Sequence, residues 1–249
     1  EFRRVLFRSV LIHKDGTVLT NAHVAQFPLL SEQNPAISCM ARYGNPAQSS
    51  LAIKTAYVSP EWLKTYGKYV NTEGAPQTGK SDFALLKIEM PTSGLYPISI
   101  SSTRNLAPSS PVSVVAYPAN TLDKNGPYSS LFQRKEDLSV NRIYSVGSVE
   151  NDIIETTGSI TGQKGSSGGA LLDSSGNLVG IIATVVQAEG QKTNIRGISI
   201  PHIESELSNQ SGHRLKDVIN YGSSDIASYF NTNQKTILTS LLNTYLNSR

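Results

Sequence analysis

The chain has 249 residues, of which 38% are hydrophobic and 16% are charged, and its formal net charge is +3 at pH 7. This composition indicates a globular protein with enough residues for one large domain or two small lobes. No apolar run approaches about 18 residues, so the sequence predicts no membrane-spanning helix. The single cysteine, Cys39, excludes an intrachain disulfide and a disulfide-stabilised framework. Cys39 lies in an apolar run and is predicted to be a buried small hydrophobe.

Residues 1–9 match, codon for codon, the translation of a common sequencing-adapter oligonucleotide. We interpret them as an adapter artefact, so a secretion signal upstream of Val10 is not excluded. They carry three Arg and one Glu, which leaves 19 basic and 18 acidic residues of the 22 and 19 in the whole chain. This near balance gives no indication of nucleic acid or of an anionic membrane as a partner.

The first half of the chain predicts short strands separated by turns. Asp15-Gly16 lies between two runs of β-forming residues and predicts a hairpin, because such a turn requires a positive φ. Pro60 follows Ser59, a good N-cap residue, and predicts a helical turn at 60–64. Polar residues 67–81 predict a long loop. The predicted strands are 10–13, 17–20, 37–43, 51–58 and 83–88.

The second half predicts another set of strands and then helices. Pro108 and Pro111 punctuate a candidate linker between two lobes. Short strands separated by turn residues indicate an all-β sandwich or barrel. Residues 201–207 are predicted to be helical, and 225–247 have apolar residues at helical spacing with a break at 231–233. These helices would pack on the β-structure or, alternatively, serve oligomerisation or partner binding. The predicted strands are 112–117, 142–149, 152–157, 170–173, 178–186 and 196–200.

The most informative motif is Gly165-Ser166-Ser167-Gly168-Gly169. A serine between glycines in a G-x-S-G-G run allows the backbone to present a nucleophile beside amides that bind an oxyanion. A serine hydroxyl is a weak nucleophile near neutral pH and needs an adjacent base. Histidine suits this role because it titrates close to working pH, and a buried carboxylate can hold it in one tautomer.

Two other positions supply the remaining groups. His23 lies in Thr20-Asn21-Ala22-His23-Val24, and Asp82 directly precedes a predicted apolar strand. The order His, Asp, Ser is one of the known chain orders of a serine triad. We therefore predict that Ser167 is the nucleophile, His23 the general base and Asp82 the residue that orients the imidazole. The amides of Gly165 and Ser167 are predicted to form the oxyanion hole.

The other histidines, His13, His202 and His213, have no metal-ligand spacing with Cys, Asp or Glu. They are interpreted as surface or strand-end residues. No metal and no cofactor is therefore expected.

The motifs resemble those of chymotrypsin-fold (trypsin-like) serine peptidases, and most closely the bacterial disulfide-free branch that includes the HtrA/Deg peptidases. The resemblance covers about residues 10–207 and implies two six-stranded antiparallel β-barrels, at about 10–105 and 106–207, with the site between them. Residues 208–249 would form a helical C-terminal extension. The matching segments are 15–24, 81–88, 165–171, 180–182 and 197–201.

The resemblance also implies a substrate pocket lined by Thr161, by the strand Ala183-Thr184-Val185 and by Gly197. Because Thr161 is uncharged, we expect a small or medium uncharged P1 side chain. Ser166 stands where trypsin-like zymogens carry an acidic residue, so activation by amino-terminal cleavage is not expected. The 42 residues after Leu207 are too few for a PDZ-like module, and none is expected.

These observations predict a serine endopeptidase that hydrolyses protein or peptide substrates through an acyl-enzyme intermediate. We expect it outside the cytoplasm, in the periplasm, in the cell envelope or secreted. Neither nucleic acid nor a membrane span is expected. Two alternatives remain: a non-catalytic protein of the same fold that binds peptides, and an esterase with the same catalytic groups.

Overall fold

The structure is a computed structural model. At residues 2–6 and 184–186 it describes the backbone only. Within the described residues, no helix is both long enough and apolar enough to cross a bilayer. The residues that the structure describes are 2–6, 9–47, 49–70, 72, 80–90, 94–101, 106–118, 131–145, 152–159, 165–186 and 194–248.

The first half of the chain forms two β-sheets and two α-helices. Four antiparallel strands lie in the order β2-β3-β7-β6, where β2 is Val10–Leu11, β3 is Thr17–Thr20, β6 is Ile53–Val58 and β7 is Ala84–Ile88. A three-stranded sheet has the order β1-β4-β5, with β1 at Phe2–Leu6, β4 at Ile37–Tyr43 and β5 at Ser49–Leu51. The helices are α1 (Ala22–Ser31) and α2 (Pro60–Tyr66), and a 3-10 turn follows at Gly67–Tyr69.

The second half closes into a six-stranded antiparallel barrel. Its strands lie in the order β10-β13-β12-β11-β8-β9. Apolar side chains that alternate along β8, among them Val112 and Val114, fill its interior, which is the arrangement expected of a small barrel. The strands are β8 (Pro111–Ala116), β9 (Arg134–Tyr144), β10 (Ile153–Thr156), β11 (Ala170–Asp173), β12 (Leu178–Val186) and β13 (Asn194–Ser199).

The mostly-β prediction is confirmed, but a second closed barrel is not. In the described residues of the first half, the strands divide between two sheets instead of closing into one. Helix α1 packs against β4 of one sheet and β6 of the other, so a helix bridges the two sheets. Its residues Val24, Ala25 and Leu29 are buried.

Four helices complete the fold: α3 (Ile200–Ser211), α4 (Leu215–Tyr221), α5 (Ser224–Asn233) and α6 (Lys235–Asn247). The helical prediction for 225–247 is confirmed, with its break displaced to Gln234. Helix α5 packs on β6, and α6 packs on α1 and α2. The C-terminal helices therefore complete the core of the first lobe.

Replacing Phe230 by alanine is expected to lower the free energy of unfolding by about 3–5 kcal/mol, because a large buried ring is removed and a cavity remains. Phe230 is fully buried, and its ring meets that of Tyr57 edge-on with centroids 5.7 Å apart. Urea unfolding of both proteins measures the difference. The matched control is Ile237→Ala on α6, since Ile237 is 68% exposed and its truncation is expected to change stability by about 0.5 kcal/mol or less.

Asp15 joins the β2–β3 hairpin to the turn before α5. Its Oδ1 accepts the backbone N–H of Thr17 at 2.8 Å, and its Oδ2 accepts that of Ser223 at 3.2 Å. It also pairs with Lys87. Burial acts to raise the pKa of Asp15, but the hydrogen bonds from Lys87, Thr17 and His13 outweigh it and hold the pKa well below its usual range.

The stability difference between the native protein and Asp15→Asn is therefore expected to depend on pH. The depressed pKa of the folded state means that ionised Asp15 stabilises the fold fully above its unfolded pKa of about 3.9. At pH 7 the substitution should cost about 1–3 kcal/mol. This difference should shrink as the pH falls below about 4. Unfolding curves of both proteins between pH 7 and pH 3 measure it, and a difference that grows in acid would contradict the assignment.

Candidate active site

His23, which is partly buried, and Asp82, which is buried, form a hydrogen-bonded pair. The Nδ1 atom of His23 lies 2.6 Å from Oδ2 of Asp82, and the backbone N–H of His23 donates to Oδ1 at 2.9 Å. The side chains are 16% and 1% exposed, respectively. Because the carboxylate accepts at Nδ1, the neutral imidazole carries its proton there and leaves the Nε2 lone pair available as a base.

Strand pairing brings these two residues together. In the β3–β7 register Thr20 lies opposite Ala84, so Asn21, just after β3, lies close to Asp82, two residues before β7. The Nδ2 group of Asn21 donates to the backbone carbonyl oxygen of Asp82 at 2.9 Å. Helix α1 begins at Ala22 and carries His23 in its first turn. Local chain geometry therefore places the imidazole against the carboxylate.

The glycines around Ser167 satisfy distinct backbone requirements. Gly165 and Gly168 have φ values of 111° and 80°, in the region that favours glycine. A Cβ atom on Gly169 would lie 2.7 Å from the carbonyl oxygen of Val115. The amide of Gly168 donates to the carbonyl oxygen of Ile182 at 2.7 Å, which ties the serine loop to β12.

The structure joins two of the three predicted triad residues. The hydroxyl of Ser167 donates to the carbonyl oxygen of Ala183 at 3.5 Å. The Nε2 atom of His23 is buried and has no hydrogen-bond partner among the residues that the structure describes. The hydroxyl of Ser167, the candidate nucleophile, therefore hydrogen-bonds the backbone of Ala183 and not the imidazole of His23.

The predicted substrate-pocket residues fall into three groups. Ala183 lies in β12 beside Ser167 and is 2% exposed, and the backbone of Thr184 and Val185 continues that strand. Gly197 lies in β13 opposite Ile182, where a Cβ atom would approach Leu171 Cδ1 to 2.2 Å. Thr161 lies outside the described residues, as do 71 and 73–79 of the loop predicted at 67–81.

A cleft of about 200 Å³ separates β2 from the barrel. It is bounded by Val10, Tyr96 and Tyr117, and it reaches Gly165 and Ser166. His23 and Asp82 do not line it. The cleft therefore reaches the serine loop without contacting the His23–Asp82 pair. Among the described residues no group of three His, Cys, Asp or Glu side chains is arranged to hold a metal ion.

Two neighbours of the site were not recognised in the sequence. The indole of Trp62 is buried, with its ring centroid 6.4 Å from that of His23. His202 was interpreted as a surface or strand-end residue, and that interpretation is wrong: its side chain is 3% exposed. Its Nε2 atom lies 2.6 Å from the carbonyl oxygen of Lys80, two residues before Asp82.

The N-cap of α2, in contrast, was predicted from Ser59 and Pro60 and is present. The Oγ atom of Ser59 accepts the backbone N–H of Trp62.

With this geometry described, comparison with known proteins defines the class. A family model for the trypsin-like peptidase domain matches residues 9–181, and the chain therefore belongs to that family. It is 34% identical over 123 residues to Protease Do-like 1, chloroplastic, from Arabidopsis thaliana, an alignment covering 48% of this chain and 26% of that protein. The chain thus spans about a quarter of the length of this curated relative.

Solved structures show the same fold. The HtrA-type protease AlgW with a decapeptide matches with a TM-score of 0.54 and 17% identity, over 87% of this chain and 52% of that chain. An inactive serine-to-alanine mutant of Rv3671c from M. tuberculosis matches with a TM-score of 0.50 and 14% identity, over 82% of this chain and 80% of that chain. At these identities the likeness defines the fold alone.

Proposed function

We propose that the chain is a serine endopeptidase in which Ser167 is the nucleophile, His23 the general base and Asp82 the residue that orients the imidazole. The observation that carries this proposal is the His23–Asp82 pair. Its carboxylate is buried, and the Nε2 atom of its imidazole has no hydrogen-bond partner in the described part of the chain. A G-x-S-G-G loop with a serine at the expected place accompanies it, in a chain of the trypsin-like peptidase family.

The chemistry follows from these groups. The Oγ atom of Ser167 attacks the scissile carbonyl carbon while Nε2 of His23 accepts its proton, and Asp82 stabilises the imidazolium that forms. The amides of Gly165 and Ser167 donate to the oxyanion of the tetrahedral intermediate. The C–N bond then breaks as His23 returns the proton to the leaving amine. Water then attacks the carbonyl carbon of the acyl-enzyme while His23 accepts a proton from it. The bond to Ser167 Oγ breaks as His23 returns the proton to that oxygen, which frees the enzyme.

The observed position of the serine hydroxyl is compatible with this assignment. Catalytic hydrogen bonds in unliganded sites are often long or misaligned and tighten when substrate binds. The carbonyl oxygen of Ala183, which now accepts from Ser167 at 3.5 Å, becomes available to a substrate amide once the hydroxyl turns to His23. We therefore place the substrate backbone along β12.

The substrate assignment is a further part of the proposal. Protein or peptide substrates would bind between the first lobe and the barrel. A small or medium uncharged P1 side chain would enter a pocket lined by Thr161, 183–185 and Gly197. The similar structure of AlgW is a complex with a decapeptide, which is consistent with a peptide as the ligand. The expected location outside the cytoplasm stays part of this proposal.

Labelling with a fluorophosphonate tests the proposal, because this reagent modifies only an activated serine. We expect one adduct, and mass spectrometry of the peptide should assign it to Ser167. Ser167→Ala should abolish it. Ser166→Ala is the matched control, since Ser166 is the adjacent serine and is 1% exposed, and it should label normally. A folded protein that does not label would instead favour the non-catalytic peptide-binding protein. Ester turnover without peptide turnover would favour the esterase.

A further inference from the structure

Helix α3 presents three polar side chains to the first lobe. His202, Glu206 and Gln210 are spaced four residues apart and therefore lie on one face of the helix. The Oε1 atom of Gln210 accepts hydrogen bonds from the hydroxyls of Tyr57 and Ser59 at 3.0 and 2.9 Å. Because α3 continues directly from β13 of the barrel, this face connects the barrel to the first lobe.

The other two side chains hold the segment that precedes Asp82. The Nε2 atom of His202 lies 2.6 Å from the carbonyl oxygen of Lys80. The Oε2 atom of Glu206 accepts the hydroxyl of Ser81 at 2.9 Å. The segment Lys80–Asp82 is thus held at two consecutive residues by one helix.

The imidazole of His202 is itself fixed from its other side. Its Nδ1 atom lies 3.0 Å from Oδ1 of Asp152, the residue before β10, and the two side chains are 3% and 1% exposed. A carbonyl oxygen can only accept, so Nε2 carries a proton. The contact with Asp152 then also requires a proton between Nδ1 and the carboxyl group. The ring is therefore held as a donor between a barrel carboxyl group and Lys80.

We propose that His202, oriented by Asp152, is a positioning residue: it fixes the segment Lys80–Asp82 so that Asp82 accepts the proton of His23 Nδ1. This rests on the proposed function, since the pair that it positions is the proposed base and its partner. His202 acts through the backbone of Lys80, and its side chain is only 3% exposed. Its loss should therefore change the rate of the chemical step rather than the binding of substrate.

The contact matters because of where it lies in the chain. Asp82 is fixed on its other side by β7, which begins at Ala84 and pairs with β3. Among the described residues, the contact at Lys80 and the hydrogen bond from the Ser81 hydroxyl to Glu206 are the two contacts by which α3 holds the residues before Asp82. Displacement of a catalytic group by about 1 Å can cost about 10²-fold in rate.

The test compares His202→Phe, which keeps a ring but removes both nitrogens, with His202→Gln, whose amide can still donate to Lys80. His213→Phe is the matched control, because His213 also hydrogen-bonds a backbone carbonyl oxygen, that of Ser211, but does not contact the Lys80 segment. The first readout is the low-field proton NMR signal of His23 Nδ1–H, assigned by its absence in His23→Gln. The second is the separate measurement of kcat and KM.

We expect His202→Phe to shift or abolish the signal and to lower kcat by about 10- to 100-fold with KM nearly unchanged. In His202→Gln, both the NMR signal and kcat should return most of the way to their native values. His213→Phe should resemble the native protein in both. A folded His202→Phe protein with the native signal and the native kcat would overturn the inference. Should that variant not fold, Asp152→Leu is measured instead, because a leucine side chain can neither donate to nor accept from Nδ1 of His202. An unchanged signal in a folded Asp152→Leu protein would overturn the inference equally.

The two proposals fail in different ways. If Ser167 is labelled and the NMR signal of His23 is the same in the native and His202→Phe proteins, the positioning role is wrong while the proposed function stands. If the native protein does not label, the proposed function is wrong, and the NMR signal still decides whether His202 positions Asp82.

Discussion

Replacement of Ser167 by alanine is expected to lower kcat for a peptide substrate by about 10⁶-fold. The hydroxyl is the only group of the proposed triad that forms a covalent bond, so its loss leaves the base and the carboxylate without a nucleophile to activate. In another serine peptidase, removal of the equivalent group has an effect of this size, and the residual rate comes from substrate binding and the oxyanion hole. Progress curves at saturating substrate measure the change.

Ser166→Ala is the control that shows whether a loss of kcat is specific to the hydroxyl of Ser167. Both serines lie in the same loop, and Ser166 is buried with its side chain 1% exposed. We expect that variant to keep kcat within about tenfold of the native value, because it alters packing and not the nucleophile. A Ser167→Ala protein that retains more than about 1% of the native rate would remove Ser167 from the mechanism.

Replacement of Asp82 by asparagine is expected to lower kcat by about 10⁴-fold, with the fold intact. At present Oδ1 accepts the backbone N–H of His23, and Oδ2 accepts its ring Nδ1–H. An asparagine can keep its oxygen on only one of these donors. With that oxygen on the backbone N–H, its NH₂ group faces Nδ1, so the ring proton moves to Nε2 and the base is lost.

Asp225→Asn is the control for a general effect of removing a carboxylate, because Asp225 is exposed on α5 and its hydrogen bond is to the adjacent Ser224. Its kcat is expected to be unchanged. An Asp82→Asn protein that is folded and retains a rate within tenfold of native would show that Asp82 does not set the tautomer of His23.

Local sequence signals predicted several strands closely because each of those signals has a short-range cause, whereas the strand predicted at 142–149 overlaps β9 (Arg134–Tyr144) only at its end. Asp15-Gly16 requires a positive φ, and the structure has a hairpin there with Gly16 at 95°. The strand at 37–43 was predicted with its observed bounds, and 170–173 and 178–186 likewise. Residues 51–58 are divided into the end of β5 and the whole of β6, since the chain passes from one sheet to the other there.

Other features could not be predicted from the sequence because their causes are long-range. Helix α1 is buried on most of its surface and contains Pro28, so it lacks the amphipathic pattern that reveals a surface helix. His202 has no local signal, since Lys80 and Asp152 lie 122 and 50 residues away in the chain. The described part of the first lobe is covered by α1 and by helices that follow the barrel in sequence, and that packing is long-range too.

The same distinction between short-range and long-range causes applies to the residues of the site. His23, Asp82 and Ser167 were selected by short motifs, and the contact between His23 and Asp82 is observed. The orientation of the Ser167 hydroxyl toward Ala183 depends on a loop and a strand that meet only in three dimensions. No local pattern encodes that orientation.

The packing of α5 and α6 on the first lobe has a consequence for synthesis on the ribosome. Asp82 leaves the peptidyl-transferase centre 148 residues before Phe230, which completes the core around Tyr57. At about 5–20 residues per second this interval lasts roughly 7–30 s. A nascent chain therefore carries the imidazole and carboxylate in an unfinished lobe throughout that interval. The order of translation itself delays the maturation of the site until the last helices have emerged.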